Sequence, residues 1–417
     1  MNIRRLPALG LAFGMIVSAA SAGPLDPPAG PITSTFKTLT EVEPRIAINA
    51  VNTPTGGGAK HLISASGSYY LTGNIVVTTN GQIGIRVVAP NVTIDLNGFA
   101  MIGNGVGGDA IQIDDGFTDL PGIVVRNGTI RNWFKEGVDA FWSKNCRIES
   151  VTVNDCSNGW GLIAGNGSVF TNCTVSGCPI GFVATRGSTL RDCTAIGNAL
   201  GFQIGEGGTV SGCSATGSTA GPGFQVFNGS TLTNCSSYDN RGATGYGFEV
   251  ASGVNLVSCT AHTNDQDGFR VQANSTNVSI TNCNANSNRG SGIHVSAGSG
   301  HRVEGNTSSR NNGNGIVVGT GCLIRNNTSE NNGTVVGANT AAIIVSGSYN
   351  RIDGNNVMAS AFGITVANGL INNTAIRNTA TLCTTPYNFP AGVSYGAINN
   401  LPSGSFADTN SFANLRF

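Results

Sequence analysis

Residues 189–204 read TLRDCTAIGNALGFQI, residues 255–271 read NLVSCTAHTNDQDGFRV, and residues 278–295 read VSITNCNANSNRGSGIHV. The pair TLTNCSSYDN (231–240) and GFEV (247–250) follows the same plan. Each unit has an apolar residue, two spacers and a Cys. An Asn follows five residues after the Cys, then Gly-Phe or Gly-Ile, and two positions on a β-branched residue. Cys173, Cys193, Cys213, Cys235, Cys259 and Cys283 mark the period, with spacings of 20, 20, 22, 24 and 24. Asn306 and Asn327 then take the cysteine slot, and the pattern continues more loosely near Asn355 and Asn373. Backward it reaches Val151 and Gly128, and weaker turns are visible within residues 67–103.

A period of 20–24 residues built from short β-branched runs excludes the common helical repeats, which need longer units. It predicts an all-β solenoid of roughly 11–13 coils, each coil laying short strands beside those of the next, about 4.8 Å away. A single coil cannot bury its own interior, so stacking makes the core. Slots then acquire directions. Phe182, Phe202, Phe224, Phe248, Phe269, Ile293, Ile316, Ile343 and Ile364 form one inward column. The residues two further on form a second, by the period of two. Leu190, Val210, Leu232, Leu256, Ile280, Val303 and Ile324, each three before the Cys slot, form a third. Asn198, Asn240, Asn264, Asn288, Asn311 and Asn332 are expected at inward turns, amide bonded to amide along the axis. The residue after each Phe or Ile points out: Val183, Gln203, Gln225, Glu249, Arg270, His294, Val317, Ile344 and Thr365.

Composition limits the partners. The 417 residues carry no net charge, only 11% are charged, and 60 are Gly. So few cations make a poor partner for nucleic acid or an anionic membrane. Residues 1–22 read as a secretory signal peptide: Arg4 and Arg5, an apolar run from Leu6 to Val17, and Ala20-Ser21-Ala22 before a cut at Gly23. The mature chain is therefore expected to be secreted, periplasmic or on the cell surface, without membrane insertion. Residues 23–66 are expected as an N-terminal extension and cap, with a short helix stopping before Pro44. Residues 67–380 are expected as the solenoid and 381–417 as a C-terminal cap or tail.

Eleven cysteines in an exported chain suggest disulfides. In-register stacking instead points the side chains parallel, which favours buried thiols acting as small hydrophobes. Cys156 and Cys178 occupy the asparagine slot of consecutive coils and are the candidate disulfide. No Cys/His set has zinc spacing, so no metal ligands are assigned.

The repeated N-x(2–4)-G-[FI]-x-[VI] pattern resembles that of the pectin-lyase-like, right-handed parallel β-helix repeat proteins. The likeness covers residues 67–380. It implies a single-stranded right-handed parallel β-helix, exported, that binds or acts on polysaccharide. Catalytic motifs of that group do not carry over. Asn91-Val92-Thr93-Ile94-Asp95-Leu96 lacks the Trp and His of the pectate lyases, and Gly300-His301-Arg302 stops short of the Gly-His-Gly of polygalacturonases. Whether the chain is an enzyme therefore stays open, as does its oligomeric state.

Three function classes follow from the outward row. In the first, a catalytic groove, Arg270 neutralises a uronate carboxylate and His294 abstracts the adjacent proton. Glu249 and Asp267 orient them or hold Ca²⁺, which makes Ca²⁺ the candidate cofactor of a polysaccharide lyase. In the second, a binding or adhesive module, Tyr246 and Gln272 flank those residues, while Trp133, Trp142 and Trp160 supply rings that stack on sugars. In the third, the chain is a structural surface element without turnover. The 24-residue offset also sets Asp265 beside Arg289.

Overall fold

Every coil bends at three corners, and the corners follow from the sequence. In the coil spanning 185–204, Gly187, Asp192 and Gly197 all adopt positive φ, at 67°, 52° and 60°. Gly, Asn and Asp tolerate that conformation at little cost. Between corners run three short strands, here Thr189–Arg191, Thr194–Ile196 and Leu200–Ile204. We describe the protein from a computed structural model covering residues 43–116, 119–333, 340–401 and 410–417. The signal peptide, residues 23–42 and most of the expected N-terminal helix lie outside the described residues.

All named strands pair in parallel, and no helix occurs among the described residues. The strands carrying the Gly-Phe slot stack into one 15-stranded sheet, here called the broad face. It runs from Ala59–Ile63 to Thr385–Asn388. The strands preceding the Cys slot form a second column, the leucine face, and those following it a third. Strand pairing begins at Ile46–Ile48 and extends to Asn414–Arg416, so coils exist on both sides of the 67–380 repeat. Their strands lack the repeat's Cys and Gly-Phe markers, and Asn414 keeps the asparagine of the slot.

The register matches the slot alignment. Phe182 pairs with Phe202, then Phe224, Phe248 and Phe269, followed by Ile293, Ile316, Ile343 and Ile364. Ring centroids lie 4.6–5.0 Å apart and within 9° of parallel. Isolated rings prefer offset or edge-on pairs. Here the strand spacing of a parallel sheet imposes the stack.

The residue after each corner points inward, and its N–H, directed along the axis, has no strand partner. Where an Asn or Cys fills the slot one coil later, its side chain accepts it. Asn240 donates from its backbone to Asn264 Oδ1, Asn264 to Asn288, Asn288 to Asn311 and Asn311 to Asn332, at 3.0–3.2 Å. A second ladder runs through Asn306, Asn327, Asn355, Asn378 and Asn414 in the cysteine slot. Thiols do the same task less well: Cys193 N–H meets Cys213 Sγ at 3.4 Å, and Cys259 meets Cys283 at 3.4 Å. The bridge considered between Cys156 and Cys178 is not formed. Both are free thiols, and the Cys156 N–H points at Cys178 Sγ at 3.4 Å. The shared slot keeps the two side chains parallel rather than facing.

Trp133 is likewise corrected. It is fully buried and donates its indole N–H to the Met101 carbonyl at 3.2 Å. It occupies the inward corner slot of its coil, paired in register with Cys156. Gly103 and Gly107 make room for it, since a Cβ at either would stand 2.6–2.7 Å from the indole. Such a ring cannot stack on a sugar.

Candidate functional site

The broad face positions the outward row as expected. Glu249, Arg270 and His294 are register partners on three consecutive strands. Their neighbours Phe248, Phe269 and Ile293 are fully buried, which locks the backbone and aims these side chains at solvent. Asp267 and Tyr246 stand two positions before the inward Phe of their coils and share the same face.

Asp267 is the hub. Its Oδ2 lies 3.2 Å from Arg270 Nη1 and 3.0 Å from His294 Nδ1, and its Oδ1 accepts the Ser291 N–H at 2.7 Å. The Asp267 side chain is only 10% exposed, against 28% and 29% for Arg270 and His294. Arg270 Nη1 also stands 2.5 Å from His294 Nδ1. The Arg270 guanidinium lies 5.8 Å from the Tyr246 ring centroid, within cation–π range. Glu249 lies opposite Arg270 in register, but the guanidinium turns to Asp267 and His294 instead. Gln272 is half-buried beside this cluster, one residue past the inward Val271. Arg289 Nη1 pairs with Asp265 Oδ1 at 2.9 Å, as the coil offset predicts.

The arrangement holds an imidazole and a guanidinium side by side on a rigid sheet, with a carboxylate beneath them. It can donate and accept hydrogen bonds along a strand of bound polymer. Both oxygens of Asp267 are already engaged by the protein. Among the described residues, no group of three or more His, Cys, Asp or Glu side chains converges as a metal site.

The tryptophans separate. Trp142 is 59% exposed and meets Phe141 edge-on, with centroids 5.0 Å apart. Trp160 is half-buried on the broad face, in register with Ile180 and Leu200. That row continues through the coil of Pro222 to those of Tyr246 and Asp267.

Two charged clusters escaped the sequence reading. On the broad face, nearer the N-terminus, Asp109 donates no free edge: it accepts the Glu136 N–H at 3.2 Å and is almost wholly buried. Burial, then Glu136, pushes its pKa up to about 7, and burial with Asp109 and Asp114 nearby pushes Asp139 up to about 6. On the leucine face, Glu304 pairs with Arg302 and Arg325, and Asp353 pairs with Arg351 and Arg377. This second group is denser in charge than the Arg270 cluster. The signal was available: Glu304, Arg325 and Asp353 each follow an inward residue of the leucine column, as Arg270 follows Phe269.

A right-handed solenoid with a polar row along its 15-stranded sheet defines the class. The family described as right handed beta helix region matches residues 109–240 and 201–332, together more than half of the chain. The chain belongs to that family and is a pectin-lyase-like parallel β-helix protein. Solved structures share the fold. The A-module of mannuronan C-5 epimerase AlgE4 of Azotobacter vinelandii aligns at 16% identity and TM-score 0.50, over 79% of this chain and 91% of that one. The A-module of mannuronan C-5 epimerase AlgE6 of the same organism aligns at 18% identity and TM-score 0.44, over 79% and 91%. Tailspike protein 3 of bacteriophage CBA120 aligns at 12% and 0.45, over 82% and 59%. At these identities the likeness is one of fold. No curated protein matches the chain in sequence.

Proposed function

We propose that the protein binds extracellular polysaccharide along its broad face, at the site formed by Tyr246, Glu249, Asp267, Arg270, Gln272 and His294. The observation that carries this reading is the Asp267–Arg270–His294 cluster. It is a preorganised polar constellation on a parallel sheet, beside an aromatic ring. Arg270 and His294 supply donors in fixed positions, and Tyr246 supplies an apolar face for a sugar ring. Trp160 extends the same row toward the N-terminus, and Trp142 offers the most exposed indole. The likeness to polysaccharide-directed folds fits this reading, and export through the N-terminal leader would bring the protein to such polymers.

Binding of a panel of acidic and neutral polysaccharides to the full chain, read by calorimetry, tests it. Arg270→Ala and His294→Ala are expected to weaken binding at least about tenfold, the scale of losing a charge-assisted hydrogen bond. Unchanged affinity in both variants would overturn the site.

A second reading has one specific observation behind it. His294 Nδ1 is 3.0 Å from the largely buried Asp267 carboxylate, an arrangement that orients an imidazole for proton transfer. In this reading His294 removes the proton beside a uronate carboxylate and Arg270 neutralises that carboxylate. Absorbance of unsaturated products from uronate polymers, with and without Ca²⁺, decides it. Product formation that His294→Ala abolishes supports catalysis. No product under either condition leaves binding as the function.

A further inference from the structure

The leucine face carries a feature unlike any other in the molecule. Arg302, Arg325, Arg351 and Arg377 come from four successive coils of a chain with only 22 Lys and Arg in 417 residues. Among the described residues their ion-pair partners are Glu304 and Asp353, so four guanidiniums face two carboxylates and the cluster retains two excess positive charges. The carboxylates sit low and the guanidiniums high: Asp353 is 2% exposed, the four arginine side chains 40–53%. Arg325 and then Arg302 hold the Glu304 carboxyl below its usual range. Burial opposes the same shift at Asp353, but Arg377 and Arg351 overcome it. Both anchors therefore stay ionised into mild acid.

Each guanidinium grips its carboxylate through Nε and Nη2. The Nη1 edges carry no bond to the described residues, and they are the edges left for a ligand. An arginine fixed this way has already given up its rotamer freedom, which lowers the cost of binding. Beside Arg302 the surface dips into an open hollow of about 330 Å³ lined by Thr281, Asn282, Glu304, Gly305 and Asn326 as well as Arg302.

Tyr349 and Arg377 take corners of these coils at φ 63° and 58°, as Thr263, Arg310, Ala359 and Leu382 take other corners at 50–56°. Tyr349 is 61% exposed and stands two residues before Arg351.

We infer that this arginine column is a second binding site, for the carboxylates of a polyuronate lying along the solenoid axis. Arg302 and Arg351 share one row two coils apart, about 10 Å. A twofold 1,4-linked uronan presents a carboxylate on one side at every second sugar, a repeat close to two coils. Arg forks recognise carboxylates in this way. The inference shares with the proposed function only the class of polymer, and it stands on different residues.

The test measures binding of polygalacturonate to the full chain, with dextran as a neutral control and single-stranded DNA as a second polyanion. Arg325→Gln combined with Arg351→Gln is expected to weaken polygalacturonate binding at least about tenfold and to flatten its salt dependence. Arg186→Gln, at an exposed arginine outside both sites, leaves that binding and its salt dependence in place. In the unmodified protein, polygalacturonate is expected to protect Arg325 and Arg351 from phenylglyoxal, read by mass spectrometry. Unprotected arginines, an unchanged affinity in the double variant, equal binding of dextran, or tighter binding of DNA would each overturn the inference.

Discussion

The solenoid changes its materials halfway along without changing its path. From about residue 170 to 283 the core column is phenylalanine and the corner slot cysteine. From about 293 to 378 the column is isoleucine and the slot asparagine. The junction is sharp. Phe269 pairs with Ile293, and the Cys283 N–H passes to Asn306 Oδ1 at 2.8 Å. Backbone register is continuous through it. The same corner N–H can thus be met by a polarisable sulfur at 3.4 Å or an amide oxygen near 3.0 Å. The first half relies more on ring area, the second more on hydrogen bonds. The Arg270–His294 cluster straddles the junction, and the arginine column lies wholly in the second half.

The comparison breaks most easily at its columns. Phe224→Ala removes a fully buried ring from the middle of the stack and is expected to cost about 3–5 kcal/mol. Ile343→Val in the other half is expected to cost about 0.5–1.5 kcal/mol. Hydrogen exchange of the flanking strands is the appropriate measurement, because a repeat array need not unfold in one step. Equal losses of protection would show that the rings contribute no more than their volume.

The corner ladders come next. Asn327→Ala leaves the Asn306 N–H and amide without their acceptor and removes the donor to the Val303 carbonyl. The expected cost is about 2–3 kcal/mol, against about 1 kcal/mol for Cys213→Ala, whose weak N–H···S contact leaves less to lose. Denaturant titration of both variants decides whether thiol and amide differ as their distances suggest.

A smaller effect depends on pH. The Asp109 carboxyl is raised to about 7 by burial and by Glu136. The folded state therefore binds more protons than the unfolded one between about pH 4 and 7, and stability falls as pH rises across that window. Asp109→Asn is expected to flatten the slope there, recovering about 2 kcal/mol at pH 8. A slope identical to that of the unmodified protein would show the carboxyl to be ordinary.

His301 gives the smallest effect, with the opposite sign. It fills a corner slot, accepts the Val278 N–H at Nδ1, and leaves Nε2 buried without a partner. Burial lowers its pKa. Its contribution is present above about pH 6.5 and is lost as pH falls toward the lowered folded value. His301→Asn restores the residue type used at Asn350 and Asn373 in the same slot. It should remove the acid sensitivity and stabilise by about 1 kcal/mol. Unaltered melting between pH 5 and 7 would count against this role.

Much of this architecture could be read from one aligned row. Period, inward columns, asparagine ladders and the outward order of Glu249, Arg270 and His294 all follow from placing like residues over one another. Reading outward residues only on the Gly-Phe strand hid the arginine column, because its residues flank the inward leucine row in coils where the cysteine marker has become asparagine. Trp133 misled for a different reason. Five residues after Gly128 it holds the asparagine slot of its coil, a position the sequence reading left unassigned, and a lone indole carries no mark of the glycines that enclose it.

The residue pattern alone determined that this chain winds as a stacked ribbon, because a coil too short to cover its own interior must repeat its inward residues to be covered by the next. Which polar groups meet was decided only in three dimensions. Asp267 reaches under Arg270 and His294, and Glu304 and Asp353 gather arginines from neighbouring coils, because side-chain direction and corner geometry, rather than spacing, select the partner. At Cys156 and Cys178 the slot pattern gave both the adjacency and the parallel aim that favours free thiols, and the structure shows the two thiols unbridged.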